Sequence, residues 1–262
     1  MSEKKDITAP LLHRSTATPP FIIGNWKMNG SLAHAHQFAA DLKEHLNEST
    51  STLILCPSFP YLLPLIEEFK GTSVQIGAQN CSAESKGAFT GDVSAAQLAD
   101  IGCTYVLIGH SERRQHHQET SELIRQKWKA AREKGLHPVL CMGESLAHRK
   151  SGHALSAIAE QLSAEVAGED LQGLLIAYEP LWAIGTGLTP TLDEIEEVLA
   201  FIRAELKDDT VPLLYGGSVT PSNAPDILAL PSVNGLLIGG ASLQAEDFLR
   251  CSVRRRDEVA MA

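Results

Sequence analysis

Eight short apolar runs recur along the chain: FIIGN (21–25), TLILC (52–56), VQIGA (74–78), TYVLIG (104–109), HPVLCMG (137–143), LLIAY (174–178), VPLLYG (211–216) and NGLLIG (234–239). Each is Leu-rich or β-branched and continuous rather than alternating, the pattern of parallel strands buried on both faces. Between them the period changes. In 31–46, Leu32, Ala35, Phe38, Ala39, Leu42 and Leu46 fall on one helical stripe. In 191–206, Leu192, Ile195, Val198, Leu199, Ile202 and Leu206 do the same, and Thr191 with Glu194 makes a capping box at the start. Eight strand candidates alternating with helices over about 230 residues predict a single α/β domain, a (β/α)8 barrel. A doubly wound open sheet would carry a Gly-rich turn after its first strand. Here that turn is Asn25-Trp26-Lys27-Met28-Asn29.

Composition narrows the function classes. The 262 residues are 44% hydrophobic and 21% charged, ordinary for a globular chain. The net charge of −10 argues against nucleic acid as a partner, and the one basic run, Arg254–Arg256, reads as a solvated helix end. No apolar stretch approaches the roughly 18 residues of a membrane span. Residues 1–20 are polar, end in Pro-Pro and read as a flexible extension without a secretory or organellar signal; the barrel domain is expected over 21–262. The five cysteines are odd in number, widely spaced and form no C-x-x-C pair, which is reducing-compartment usage and implies a cytoplasmic protein. The histidines lack metal-ligand spacing, so no metal is expected.

In a barrel, side chains at the C-terminal strand ends share one mouth. The ends of these runs carry Asn25 and Lys27, then His110, then Glu179, then Gly216-Gly217-Ser218 and Gly239-Gly240. Glu179 precedes a segment bounded by Pro180 and Gly185-Thr186-Gly187, which reads as a hinged lid over a carboxylate base. The plainer alternative is a strand-end Glu paired with an Arg before an ordinary turn. Backbone N–H groups of Gly185, Ser218, Gly239 and Gly240 would make a phosphate pocket. A carboxylate base, an imidazole and an ammonium beside it suit proton abstraction next to a carbonyl, with no cofactor required.

The motifs GNWKMN (24–29), GAFTG (87–91), GHSERR (109–114), YEPLWAIGTG (178–187), YGGSV (215–219) and GGASL (239–243) stand in the order and spacing of the triosephosphate isomerase family, which the chain resembles from Phe21 to about Cys251. The resemblance implies the TIM barrel, interconversion of dihydroxyacetone phosphate and glyceraldehyde 3-phosphate, and a place in glycolysis and gluconeogenesis. It implies Glu179 as base, His110 as electrophile, Asn25 and Lys27 on substrate, and Gly185, Ser218, Gly239 and Gly240 on the phosphate. The family is itself a standard example of a carboxylate base working with a neutral imidazole. It also implies a homodimer, with the 79–92 loop inserting into the partner subunit near Asn25, Lys27 and Met28.

Three departures stand out. Asp92 replaces the usual Glu, expected to pair with Arg113, Leu188 follows the lid where Lys is frequent, and the 20-residue extension is additional. Two rival functions remain at this level: an isomerase for another small sugar phosphate, and a non-catalytic phosphate-binding or adhesion barrel. The intact lid motif disfavours the first, and the joint presence of Asn25, Lys27, His110 and Glu179 disfavours the second.

Overall fold

The computed structural model describes residues 19–183 and 188–253. All but the last two residues of the predicted extension, the lid residues 184–187 and the Arg254–Arg256 run therefore lie outside the described residues. Every apolar run contains one strand: β1 Phe21–Asn25, β2 Thr52–Cys56, β3 Gln75–Ala78, β4 Tyr105–Ile108, β5 His137–Met142, β6 Leu175–Tyr178, β7 Leu213–Tyr215 and β8 Gly235–Ile238. They pair in parallel in sequence order and close, β8 onto β1, into the expected barrel.

The helices are α1 Leu32–Glu44, α2 Leu62–Glu68, α3 Ala95–Asp100, α4 Ser111–His116, α5 Ser121–Glu133, α6 Leu146–Lys150, α7 Ala154–Glu165, α8 Leu192–Leu206, α9 Ala224–Leu228 and α10 Ala245–Arg250. The simple strand–helix alternation is thus exceeded after β4 and β5, where a short helix precedes the long one. Both halves of the Thr191–Glu194 capping box form at α8, a device worth about 1 kcal/mol at a helix start. The stripes predicted for α1 and α8 hold over their middles. Leu32 and Leu192, in the first turns, are exposed instead.

Strand alternation sorts the core into two sets. Ile23, Ile54, Leu107, Val139, Leu175, Leu214 and Leu237 pack together inside the barrel. Their neighbours Ile22, Leu53, Val106, Leu140, Ile176, Leu213 and Leu236 face outward under the helices. All five cysteines are buried free thiols, and burial pushes the Cys103 thiol up to about 12.

The strands leave little room where β5 and β6 end. A Cβ on Gly143 would lie 1.7 Å from the Glu179 carbonyl oxygen. Gln161 on α7 clasps the same residue, accepting from its N–H at 3.2 Å and donating to its carbonyl at 2.9 Å. Gly143→Ala must therefore spread backbone from backbone, and we expect a loss of at least about 1–3 kcal/mol. Urea denaturation checks this; an unchanged midpoint would show that the two strands separate there at no cost.

Candidate active site

The inward series of each strand continues into the mouth. Leu175 and Ala177 face the barrel interior, so Glu179, the next residue of that parity, does too. Ile23 leads to Asn25 in the same way. Strand β4 needs a correction of phase. By alternation Gly109 would point inward, yet its backbone is left-handed (φ 68°) and a Cβ there would meet Arg114 and Ile124 on the outer side. That turn, which glycine adopts without strain, delivers His110 to the mouth. Asn25, Lys27, His110, Glu179, Ser218, Gly239 and Gly240 all line one cavity of about 600 Å³. Asn29 and Gly217 line it as well. Of the residues predicted for the site, Gly185 alone lies outside the described residues.

Glu179 is 1% exposed. One carboxylate oxygen accepts from the Ser111 N–H at 3.0 Å, and the other lies 3.0 Å from His110 Nε2. His110 in turn caps α4: its Nδ1 accepts from the Glu112 N–H at 3.2 Å. An acceptor at Nδ1 places the ring proton on Nε2, aimed at the carboxylate. Burial lowers the affinity of His110 for a second proton, but Glu179 beside it, helped by Glu112, outweighs burial and holds the imidazole above its ordinary 6.5 in this arrangement.

Lys27 is held in an unusual backbone conformation, φ 51°, a left-handed geometry that costs a non-glycine residue about 1–3 kcal/mol. Its N–H donates to Asn25 Oδ1 at 3.0 Å, and its carbonyl accepts from Ser58 Oγ and Gln79 Nε2, each at 2.9 Å. Its ammonium pairs with Glu112. Burial pushes the Glu112 carboxyl up, but the Lys27 ammonium and His110 outweigh it and hold the group below its ordinary 4.5. Sequence reading passed over Glu112, although it lies within GHSERR; its role depends on a partner 85 residues away.

Glu144 was also missed. Its side chain is fully buried, and Oε1 accepts from Trp182 Nε1 at 2.8 Å, Arg149 Nε at 3.0 Å and Tyr178 Oη at 3.1 Å. Burial first, and then the Glu144 carboxylate, push the Tyr178 phenol well up. The start of the predicted lid is therefore fastened: Leu181–Ala183 form one tight turn, and the Leu181 N–H donates to the Glu144 carbonyl at 3.2 Å. Leu188, beyond the lid, is half exposed.

The expected Asp92–Arg113 pair does not form within the chain. Asp92 accepts from Ser82 Oγ at 2.7 Å, closing its own loop, while the Arg113 guanidinium pairs with Glu119, six residues on. Among the described residues no group of three or more His, Cys, Asp or Glu side chains could hold a metal ion, and no helix is long and apolar enough to cross a membrane.

The family model described as triosephosphate isomerase matches residues 20–253. The chain belongs to the triosephosphate isomerase family. It is 47% identical over 237 residues to the triosephosphate isomerase of Xanthomonas oryzae pv. oryzae (strain PXO99A), covering 87% of this chain and 94% of that protein. It is likewise 47% identical over 245 residues to that of Acidiphilium cryptum, covering 88% and 96%. The crystal structure of triosephosphate isomerase from Bartonella henselae superposes with a TM-score of 0.79 at 38% identity, over 88% of this chain and 97% of that one. By its family the chain is an isomerase with the TIM-barrel fold.

The His110–Glu179 pair gives a direct test. Because the folded value of His110 lies above 6.5, the charged pair adds stability below that pH, and the contribution fades as pH rises through the raised value. Glu179→Gln removes the carboxylate, and the His110 titration followed by NMR should move down. A titration unmoved by Glu179→Gln would remove Glu179 as the cause.

Proposed function

We propose that this isomerase interconverts dihydroxyacetone phosphate and D-glyceraldehyde 3-phosphate through an enediolate. The observation that carries the reading is the buried Glu179 carboxylate, 3.0 Å from His110 Nε2, opening onto the same cavity as Lys27, Ser218, Gly239 and Gly240. The backbone amides of Ser218, Gly239 and Gly240, with Gly185 of the lid, take the phosphate, and Asn25 and Lys27 contact the rest of the substrate. Glu179 removes the carbon-bound proton next to the carbonyl. The His110 Nε2–H polarises the carbonyl oxygen, and the Lys27 ammonium balances the charge that develops there. The proton returns to the adjacent carbon while His110 Nε2 relays the hydroxyl proton from one substrate oxygen to the other, so the exchange balances with no net oxidation.

Both Glu179 oxygens are engaged before substrate arrives, by Ser111 and His110. Substrate binding must rotate the carboxylate off these donors, which frees Nε2–H for the substrate oxygen. Once Glu179 leaves, the main force raising the His110 proton affinity goes with it, and the ring reacts as a neutral donor. The lid then excludes water from the enediolate, its near end fixed by Glu144, Trp182 and Tyr178. The buried free thiols accord with a reducing, cytoplasmic setting.

A coupled assay on glyceraldehyde 3-phosphate tests the activity. Glu179→Asp withdraws the base by about 1 Å and should lower turnover on the order of 10² with the fold intact. Near-normal turnover in the folded variant would take Glu179 out of the mechanism.

We also infer a two-fold homodimer built through the 79–92 loop. Phe89 at its tip is 46% exposed and Met28 beside the mouth 96% exposed. A groove of about 660 Å³ runs along the loop, lined by Phe89, Thr90, Gln97 and others. Apolar side chains displayed this way fit a self-complementary contact. Thr90→Arg should weaken both association and activity by burying an unpaired charge. Light scattering decides it: a monomeric wild type, fully active at assay concentration, would overturn the inference.

A further inference from the structure

The turn that presents Gly240 to the cavity spans Gly240–Leu243. Its own hydrogen bonds are internal: the Ser242 N–H and Oγ both donate to the Gly239 carbonyl, at 2.9 and 2.7 Å. A bond from outside meets its last residue. His34, the third residue of α1, places Nε2 2.9 Å from the Leu243 carbonyl, across 209 positions of sequence. A carbonyl only accepts, so Nε2 carries a proton and donates it. Nδ1 is buried and has no hydrogen-bond partner among the described residues, so the ring acts through Nε2 alone.

The ring is held from behind. It lies against Trp26, with centroids 4.9 Å apart, and near Phe38 at 6.1 Å. Trp26 is fully buried and directly precedes Lys27. Asn29, which lines the cavity, fixes the same segment by donating to the Trp26 carbonyl at 2.8 Å. His34 therefore touches both sides of the phosphate end of the cavity, the Lys27 segment through its ring face and the glycine turn through Nε2. The two sides are close enough for small shifts to matter: a Cβ on Gly239 would lie 3.6 Å from Lys27 Cε.

We propose that His34 is a positioning residue for phosphate binding, holding the Gly240–Leu243 turn in register with Lys27. The proposal rests on the phosphate reading given above and extends it to a residue that does not reach the substrate. Amides aimed at an anion bind it well only if the backbone carrying them is already in place. Loosening the turn should thus weaken phosphate binding while leaving Glu179 and His110, on other strands, in their chemistry.

Three substitutions separate the hydrogen bond from the packing. His34→Phe keeps a ring against Trp26 and loses the donor. His34→Gln places an amide N–H near the position of Nε2, and His34→Asn is too short to do so. His34→Phe should raise KM for glyceraldehyde 3-phosphate and the inhibition constant of inorganic phosphate together, by about three- to tenfold, the loss of one hydrogen bond. Its kcat should stay within about twofold. His34→Gln should restore phosphate affinity and His34→Asn should not. Unchanged phosphate inhibition in His34→Phe would overturn the proposal, as would a fall in kcat that tracks lost thermal stability. If His34→Phe fails to fold, the Gln–Asn comparison decides: equal phosphate affinity in the two sinks the idea. Inorganic phosphate binding read by NMR, without turnover, keeps this test separate from the isomerase reading. A wild type that binds phosphate but does not isomerise would overturn only the latter.

Discussion

The pairing of β8 with β1 is the constraint on which the rest depends. Phe21 sits opposite Gly235, Ile23 opposite Leu237 and Gly24 opposite Ile238. This ladder joins the two ends of the described chain and brings Asn25 and Lys27 to the same mouth as Gly239 and Gly240. Its register matters as much as its existence. A slip of one residue would exchange the inward and outward faces of β1, turning Asn25 toward the helices and Ile22 into the barrel. Closure also removes both sheet edges, so no exposed strand is left to pair elsewhere. Such contacts are as non-local as the chain allows, and the loop entropy of forming them is met before they stabilise anything.

The fold buries several carboxylates, and they are of two kinds. Glu165 is fully buried and gripped by Arg114 and Ser121, and the same Arg114 donates to the Gly109 and Cys141 carbonyls. One ion pair thereby fixes the left-handed turn that aims His110. Glu119 is held by Arg113 and Lys127, and Glu144 by Arg149. Removing one partner from pairs like these leaves an uncompensated buried charge, at a cost of about 3–5 kcal/mol. Glu179 differs. Among the described residues its donors are a backbone N–H and an imidazole, and no guanidinium or ammonium grips it. Structural carboxylates are locked by strong cations, whereas this one is held by donors it can leave.

The contrast explains which parts of the molecule were legible in the sequence. The eight strands were visible because both faces of each are buried, so hydrophobicity alone marks them. The α8 start was visible because a capping box is a local signal. Asn25, Lys27, His110 and Glu179 were found because strand ends in a barrel share one place. Glu112, Glu144 and His34 were not, since each acts through a partner contributed by another part of the chain. The shift of phase at Gly109 was hidden for the opposite reason: glycine permits a left-handed turn without demanding one. The Asp92–Arg113 pair is not made within the chain, where Arg113 takes Glu119 and Asp92 takes Ser82 instead.

The strained backbone at Lys27 shows how such distant partners set the chemistry. A left-handed lysine costs about 1–3 kcal/mol, and three hydrogen bonds hold it there, from Ser58 and Gln79 to its carbonyl and from its own N–H to Asn25. At roughly 1 kcal/mol each, the three together are of the size needed to offset the strain. Asn25 therefore has a structural task as well as its place on the cavity wall. The geometry so maintained directs the ammonium across the mouth to Glu112. An anionic substrate must compete with that carboxylate for the same cation. The competition keeps Lys27 ordered before binding, so the ordering entropy that a flexible lysine would lose when an anion binds has already been lost on folding.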